Sequence, residues 1–140
     1  MLQLKGKGCE DMNFQDKVIL LVDDEQNYLT MTKMALEGNG FTVITESNPL
    51  QALEYLKTNK VDLILLDYFM PELTGDEFVR QLRTFAPKTL VVLQTGYADE
   101  NTPLELMKKS DVQAYFDKTS GIDNLVILLC SIFRICEKLN

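Results

Sequence analysis

Short apolar runs rich in β-branched residues recur along the chain, and four of them stop at a side chain capable of chemistry. Val18-Ile-Leu-Leu-Val22 empties into Asp23-Asp24, Val61-Asp-Leu-Ile-Leu-Leu66 into Asp67, Leu90-Val-Val-Leu-Gln94 into Thr95, and Ala114-Tyr-Phe116 into Asp117-Lys118. Runs of this length with almost no polar break predict strands covered on both faces, which is the signature of a parallel sheet. A fifth run, Phe41-Thr-Val-Ile-Thr45, has the β-branched and aromatic character of another strand.

The segments between the runs carry helical signals. Tyr28, Met31, Thr32 and Ala35 fall at i, i+3, i+4 and i+7 before the stop Gly38-Asn39-Gly40. Asn48-Pro49 supplies an N-cap followed by proline at the first helical position, ahead of Ala52, Leu53 and Leu56. Met70-Pro71 and Thr74-Gly75 mark a loop before a helix built on Phe78, Val79 and Leu82. Thr102-Pro-Leu-Glu105 reads as a capping box opening a fourth helix, and Ile122 to Cys136 as a last helix. Strands alternating with helices, joined by right-handed crossovers, give an α/β fold of the flavodoxin-like (βα)5 type. In that fold type, a three-layer sandwich, the expected parallel sheet order is 2-1-3-4-5. The pattern occupies residues 17–140 and leaves residues 1–16 as an N-terminal tail.

At 140 residues the chain has room for one such domain. Lys and Arg number 14 against 21 Asp and Glu, a formal charge of −7, which disfavours direct contact with nucleic acid or anionic membrane surfaces. There is no histidine, so imidazole metal sites and Ser-His or Cys-His nucleophiles are excluded, as is a phosphohistidine on this chain itself. Cys9, Cys130 and Cys136 match no zinc pattern and are expected to be reduced. The longest apolar stretch, Leu125 to Phe133, is far below the ~18 residues of a membrane span, and Met1 to Asp16 lacks the apolar core of a secretion signal. A cytoplasmic protein is expected.

In open parallel sheets, ligands bind beyond the carboxyl ends of the strands where strand order reverses. That geometry would bring Asp23, Asp24 and Asp67 into one pocket. Three carboxylates repel unless a cation sits among them, and an all-oxygen set with room for water suits Mg²⁺. With Mg²⁺ and Lys118 the formal charge of the pocket is close to zero. A carboxylate so placed can attack phosphorus, metal and ammonium neutralising the transferring oxygens while the Thr95 hydroxyl bonds the new phosphoryl group.

Four pieces together, each at a strand end and in this order, resemble the receiver domain of two-component response regulators over about residues 17–138. They are Asp23-Asp24, Asp67-Tyr-Phe-Met70-Pro71 with Gly75, Thr95-Gly96, and Tyr115-Phe-Asp-Lys118. The resemblance implies that Asp67 is the phosphoacceptor, supplied by a phosphohistidine on a sensor histidine kinase or phosphotransfer protein. It implies Mg²⁺ bound by Asp24 directly, by Asp23 mainly through water, by Asp67, and by the backbone carbonyl of Phe69, with Lys118 touching the phosphoryl oxygens. It also implies that Thr95 and Tyr115 move together and remodel the surface of the fourth helix, fifth strand and fifth helix. The implied role is a signalling switch, not an enzyme.

Two departures stand out. Thr119 follows Lys118 where receivers usually have a cis proline, so the loop placing Lys118 is expected to be built differently or to keep a strained bond. Phe69 and Tyr97 are bulky and are expected to rim the pocket and keep out attacking water. Ile127 and Ile135 lie off the stripe Leu125, Leu129, Ile132 and Cys136, which points to a partner surface for a homodimer or an output domain. Two alternatives are an interaction-only pseudo-receiver and a Mg²⁺-dependent phosphatase of the same fold. The second lacks a Gly-rich phosphate loop and an Asp-x-Asp nucleophile pair.

Overall fold

The computed structural model describes residues 14, 16–96 and 111–139. The strands are β1 (Val18–Val22), β2 (Thr42–Glu46), β3 (Leu63–Asp67), β4 (Leu90–Thr95) and β5 (Ala114–Asp117). The described helices are α1 (Gln26–Glu37), α2 (Pro49–Thr58), α3 (Gly75–Arg83) and α4 (Ile122–Leu139), with a 3₁₀ turn at Lys118–Ser120. The helix expected from Thr102 lies outside the described residues. All strand pairs are parallel, in the order β2-β1-β3-β4-β5, as the sequence predicts.

Alternation along each strand builds two cores. Ile19, Leu21, Leu63, Leu65 and Val92 face Leu29 and Leu36 of α1 and Leu125, Leu129 and Phe133 of α4. Leu20, Val22, Ile64, Leu66, Val91 and Leu93 face Ala52, Leu53 and Leu56 of α2 and Phe78, Val79 and Leu82 of α3. The sandwich therefore has three layers, and the strand ends lie between them.

Details depart from the sequence reading. The buried stripe of α1 is Leu29, Thr32 and Leu36, so Met31, expected on the packed stripe, is exposed, as is Met34. Leu29 and Leu36 are the large apolar residues that fit the sheet, and they rotate the stripe away from Met31. Phe14, placed by the sequence reading in the tail, is 3 % exposed. Its ring stacks on Phe41 at 4.9 Å and meets Phe133 at 5.8 Å. Cys130 is disulfide-bonded rather than a reduced thiol, whereas Cys136 is free. No helix among the described residues is long and apolar enough to cross a membrane.

Candidate functional site

β1 and β3 are adjacent, and their carboxyl ends deliver Asp23, Asp24 and Asp67 to one place. Each offers a carboxylate oxygen, and these oxygens lie within 4.8 Å of one another. Asp23 and Asp67 are buried and Asp24 is exposed. A cleft of about 540 Å³ opens here, lined by Asp24, Glu25, Asp67, Phe69, Gly96 and Lys118.

The loops are shaped by local bonds. Asp23 Oδ1 accepts the Glu25 N–H at 2.9 Å, turning the chain from β1 into α1. After Asp67 the chain must return to α3 in a tight pass, and Gly75 allows it: a Cβ there would lie 2.9 Å from Tyr68 Cδ1 and 3.0 Å from Leu93 Cδ2. The Gly75 N–H donates to the Tyr68 carbonyl at 2.9 Å, which closes the loop carrying Phe69.

Among the described residues lining the cleft, Lys118 is the cation. Its Nζ is 2.5 Å from Asp23 Oδ2 and 3.7 Å from Asp67 Oδ1. Burial pushes the Asp23 carboxyl up, opposed by its bond to Lys118. Asp67 is pushed up to about 7, first by burial and then by the neighbouring Asp23 charge, because Lys118 only partly compensates from its greater distance. A buried carboxyl with a like charge beside it favours any positive charge brought close to it. The donor set, all carboxylate oxygen and partly open to water, fits a small divalent ion such as Mg²⁺.

The peptide bond between Lys118 and Thr119 is trans, since no cis bond occurs among the described residues. Thr119 does what proline cannot: its N–H donates to Asp117 Oδ1 at 2.9 Å and its hydroxyl to the same oxygen at 2.7 Å. These bonds cap the 3₁₀ turn and hold the Asp117 carboxyl below its usual range. Of the two expectations for this loop, it is the one of different construction that holds.

Thr95 closes β4 and is buried; Tyr115 sits two residues before the Thr95 register partner, Asp117. Alternation therefore places Thr95 and Tyr115 on one sheet face, the face of α2 and α3. The Tyr115 hydroxyl is buried without a hydrogen-bond partner among the described residues, and burial raises its pKa. Phe69 lines the cleft at 46 % exposure, its ring edge-on to Tyr68 at 4.7 Å. Tyr97 lies outside the described residues.

Sequence reasoning missed two residues beside the site, Tyr28 and Gln94. The Tyr28 ring lies under Lys118 Nζ at 4.3 Å, and its hydroxyl donates to Gln94 Oε1 at 3.1 Å. Gln94 was the available signal, because a polar residue inside an apolar strand needs a buried partner.

The chain's residues 19–129 match the family model described as the response regulator receiver domain. The chain is 34 % identical over 111 residues to the transcriptional regulatory protein ZraR of Klebsiella oxytoca, covering 79 % of this chain and 25 % of that protein. It is 46 % identical over 68 residues to the alkaline phosphatase synthesis regulator PhoP of Bacillus subtilis, covering 49 % of this chain and 28 % of that one. The chain thus spans about a quarter of the length of these relatives. Among solved structures, a CheY-like receiver domain protein from Methanospirillum hungatei superposes with a TM-score of 0.80 at 25 % identity, over 89 % of this chain and 98 % of that one. The strand order, the acidic strand ends and these matches lead to one conclusion: the chain belongs to the receiver domain family of two-component response regulators.

Proposed function

We propose that Asp67 is the phosphoacceptor of this receiver and that a phosphohistidine on a sensor histidine kinase or phosphotransfer protein is its donor. The observation that carries this reading is the Asp67 carboxyl at the end of β3, with the Lys118 ammonium 3.7 Å away and two further carboxylates within 4.8 Å. An ionised Asp67 oxygen attacks the phosphorus of the donor. An O–P bond forms, the N–P bond breaks, and the imidazole nitrogen leaves with the electron pair and takes up a proton. Lys118 turns from Asp23 toward the phosphoryl oxygens, and the Thr95 hydroxyl bonds one of them. Asp24, Asp67, the Phe69 carbonyl and, mainly through water, Asp23 would hold Mg²⁺, which would supply positive charge offsetting the carboxylates and the transferring group.

Movement of Thr95 with Tyr115 on their shared sheet face transmits the change to the surface of β5, α4 and the helix expected from Thr102, where a homodimer partner or an output domain docks. Ile127 and Ile135, 58 % and 57 % exposed, support α4 as part of that surface. The chain acts as a switch and not as a turnover enzyme. It works in the cytoplasm without direct nucleic-acid or membrane contact, in keeping with its charge of −7. The receiver unit occupies residues 17–140, with Phe14 packed on its core.

Intact mass after incubation with acetyl phosphate tests the reading. Wild type gains one phosphoryl group only with Mg²⁺, and Asp67→Asn gains none. Absence of a gain under every condition would replace the reading with an interaction-only pseudo-receiver.

A further inference from the structure

We propose that Tyr28, anchored by Gln94, is a positioning residue for Lys118; the inference rests on the assignment of Asp67 as phosphoacceptor. Lys118 has two carboxylates within reach and a flexible four-carbon stem. The capped 3₁₀ turn fixes its backbone through Asp117 and Thr119, and the ammonium is paired with Asp23 at 2.5 Å. The Tyr28 ring supplies a second contact that does not depend on the Asp23 pair. Its face carries the ammonium at 4.3 Å from the centroid, well inside the ~6 Å reach of a cation–π contact.

The ring is itself held. Its hydroxyl donates to Gln94 Oε1, and Gln94 is fully buried in β4, opposite Asp67 in the β3–β4 register. Acceptor and anchor are thus set by the same pair of hydrogen-bonded strands, so the distance from ring to Asp67 is fixed by sheet geometry. Gln94 alternates with Thr95, so this contact runs on the α1 and α4 face, opposite the face shared by Thr95 and Tyr115. Tyr28 keeps the ammonium over the cleft, within a short swing of the acceptor, while the Asp23 pair is broken and remade.

Initial phosphorylation rates with acetyl phosphate and Mg²⁺ test this in a cycle of wild type, Tyr28→Leu, Lys118→Ala and the double variant, with Tyr28→Phe as the conservative control. Loss of a cation–π contact of this burial predicts a rate about 3- to 30-fold lower in Tyr28→Leu, with Tyr28→Phe falling by less because it keeps the ring. In the Lys118→Ala background the Leu substitution makes no further difference, which a merely structural role would not produce. Independently of phosphorylation, the side-chain proton resonances of Lys118 are shifted upfield by the ring in wild type and Tyr28→Phe and lose that shift in Tyr28→Leu. An equal slowing in both backgrounds, or no upfield shift in wild type, overturns the proposal. A wild type that gains no phosphoryl group yet shows the shift overturns the Asp67 assignment alone and leaves the Tyr28–Lys118 placement standing.

Discussion

Asp67→Asn stabilises the metal-free fold, and the structure gives the size and the pH dependence of the effect. The Asp67 carboxyl is pushed from 3.8 up to about 7 by burial and by the Asp23 charge. At about 1.4 kcal/mol per pH unit, that interval corresponds to a destabilisation of about 4 kcal/mol when the group is ionised in the folded state. Water entering the open cleft relieves part of it, and the amide of the variant gives up about 1–2 kcal/mol to imperfect hydrogen bonding, which leaves a net gain of about 2 kcal/mol. The folded pKa lies above the unfolded one, so the folded state binds the extra proton between pH 3.8 and about 7. Wild-type stability from this group is therefore fully present below pH 3.8 and is lost as pH rises through about 7. Urea unfolding in EDTA at pH 8, 6 and 4 should show the variant ahead by about 2 kcal/mol at pH 8, with the advantage shrinking toward pH 4. A variant less stable than wild type at pH 8, or an advantage independent of pH, would refute the electrostatic account.

The remaining predictions concern the metal, the loops and the core. Mg²⁺ raises the thermal midpoint of wild type and has a smaller effect on Asp24→Asn, whose exposed carboxylate matters for the ion more than for the apo fold; equal shifts would remove Asp24 from the ligand set. Gly75→Ala forces a Cβ to 2.9 Å from Tyr68 Cδ1 and 3.1 Å from Tyr68 Cα, so it costs about 1–3 kcal/mol in urea unfolding and slows phosphorylation by shifting the loop after Asp67. Phe14→Ala costs about 3–5 kcal/mol by removing one ring of the Phe14, Phe41 and Phe133 cluster, whereas a residue in a loose tail would cost nothing measurable. Phe69→Asn opens the cleft rim and speeds loss of the phosphoryl group, followed by intact mass over time; loss no faster than in wild type removes water exclusion as the role of Phe69.

Legibility in the sequence followed the strength of local pattern. The parallel sheet was readable because the apolar runs alternate with helices, its order followed from the flavodoxin-like fold type, and Asp23, Asp24, Asp67 and Lys118 were legible because each sits at the abrupt end of such a run, where that topology brings them together. The contribution of Phe14 was not, since a lone phenylalanine among charged and small residues has no periodicity to read. Met31 misled because helical spacing from Tyr28 fits as well as the true stripe from Leu29, and only the sheet's shape decides between them. Tyr28 to Gln94 spans 66 residues, a pairing no local pattern encodes.

Asp23, Asp24 and Asp67 bring three carboxylates within 4.8 Å of one another, with Lys118 paired to one of them. Lys118 is committed to Asp23 at 2.5 Å and reaches Asp67 only at 3.7 Å, so Asp67, the proposed acceptor, has its pKa pushed up to about 7 and is partly protonated near neutral pH, where the protonated fraction is a poor nucleophile. A cation bound among the three carboxylates, as proposed, would lower the pKa of Asp67 and relieve the repulsion, so that part of the destabilisation carried by ionised Asp67 would appear as affinity for the ion. The same imbalance gives Lys118 somewhere to go. On the proposed assignment, a phosphoryl group on Asp67 would put the greater negative charge on its side, and the ammonium, 4.3 Å above the Tyr28 ring, would move from Asp23 toward it. Asp23→Asn should therefore loosen Lys118 before phosphorylation and reduce Mg²⁺ affinity together, a pairing of effects expected only if one buried carboxylate serves both cations in turn.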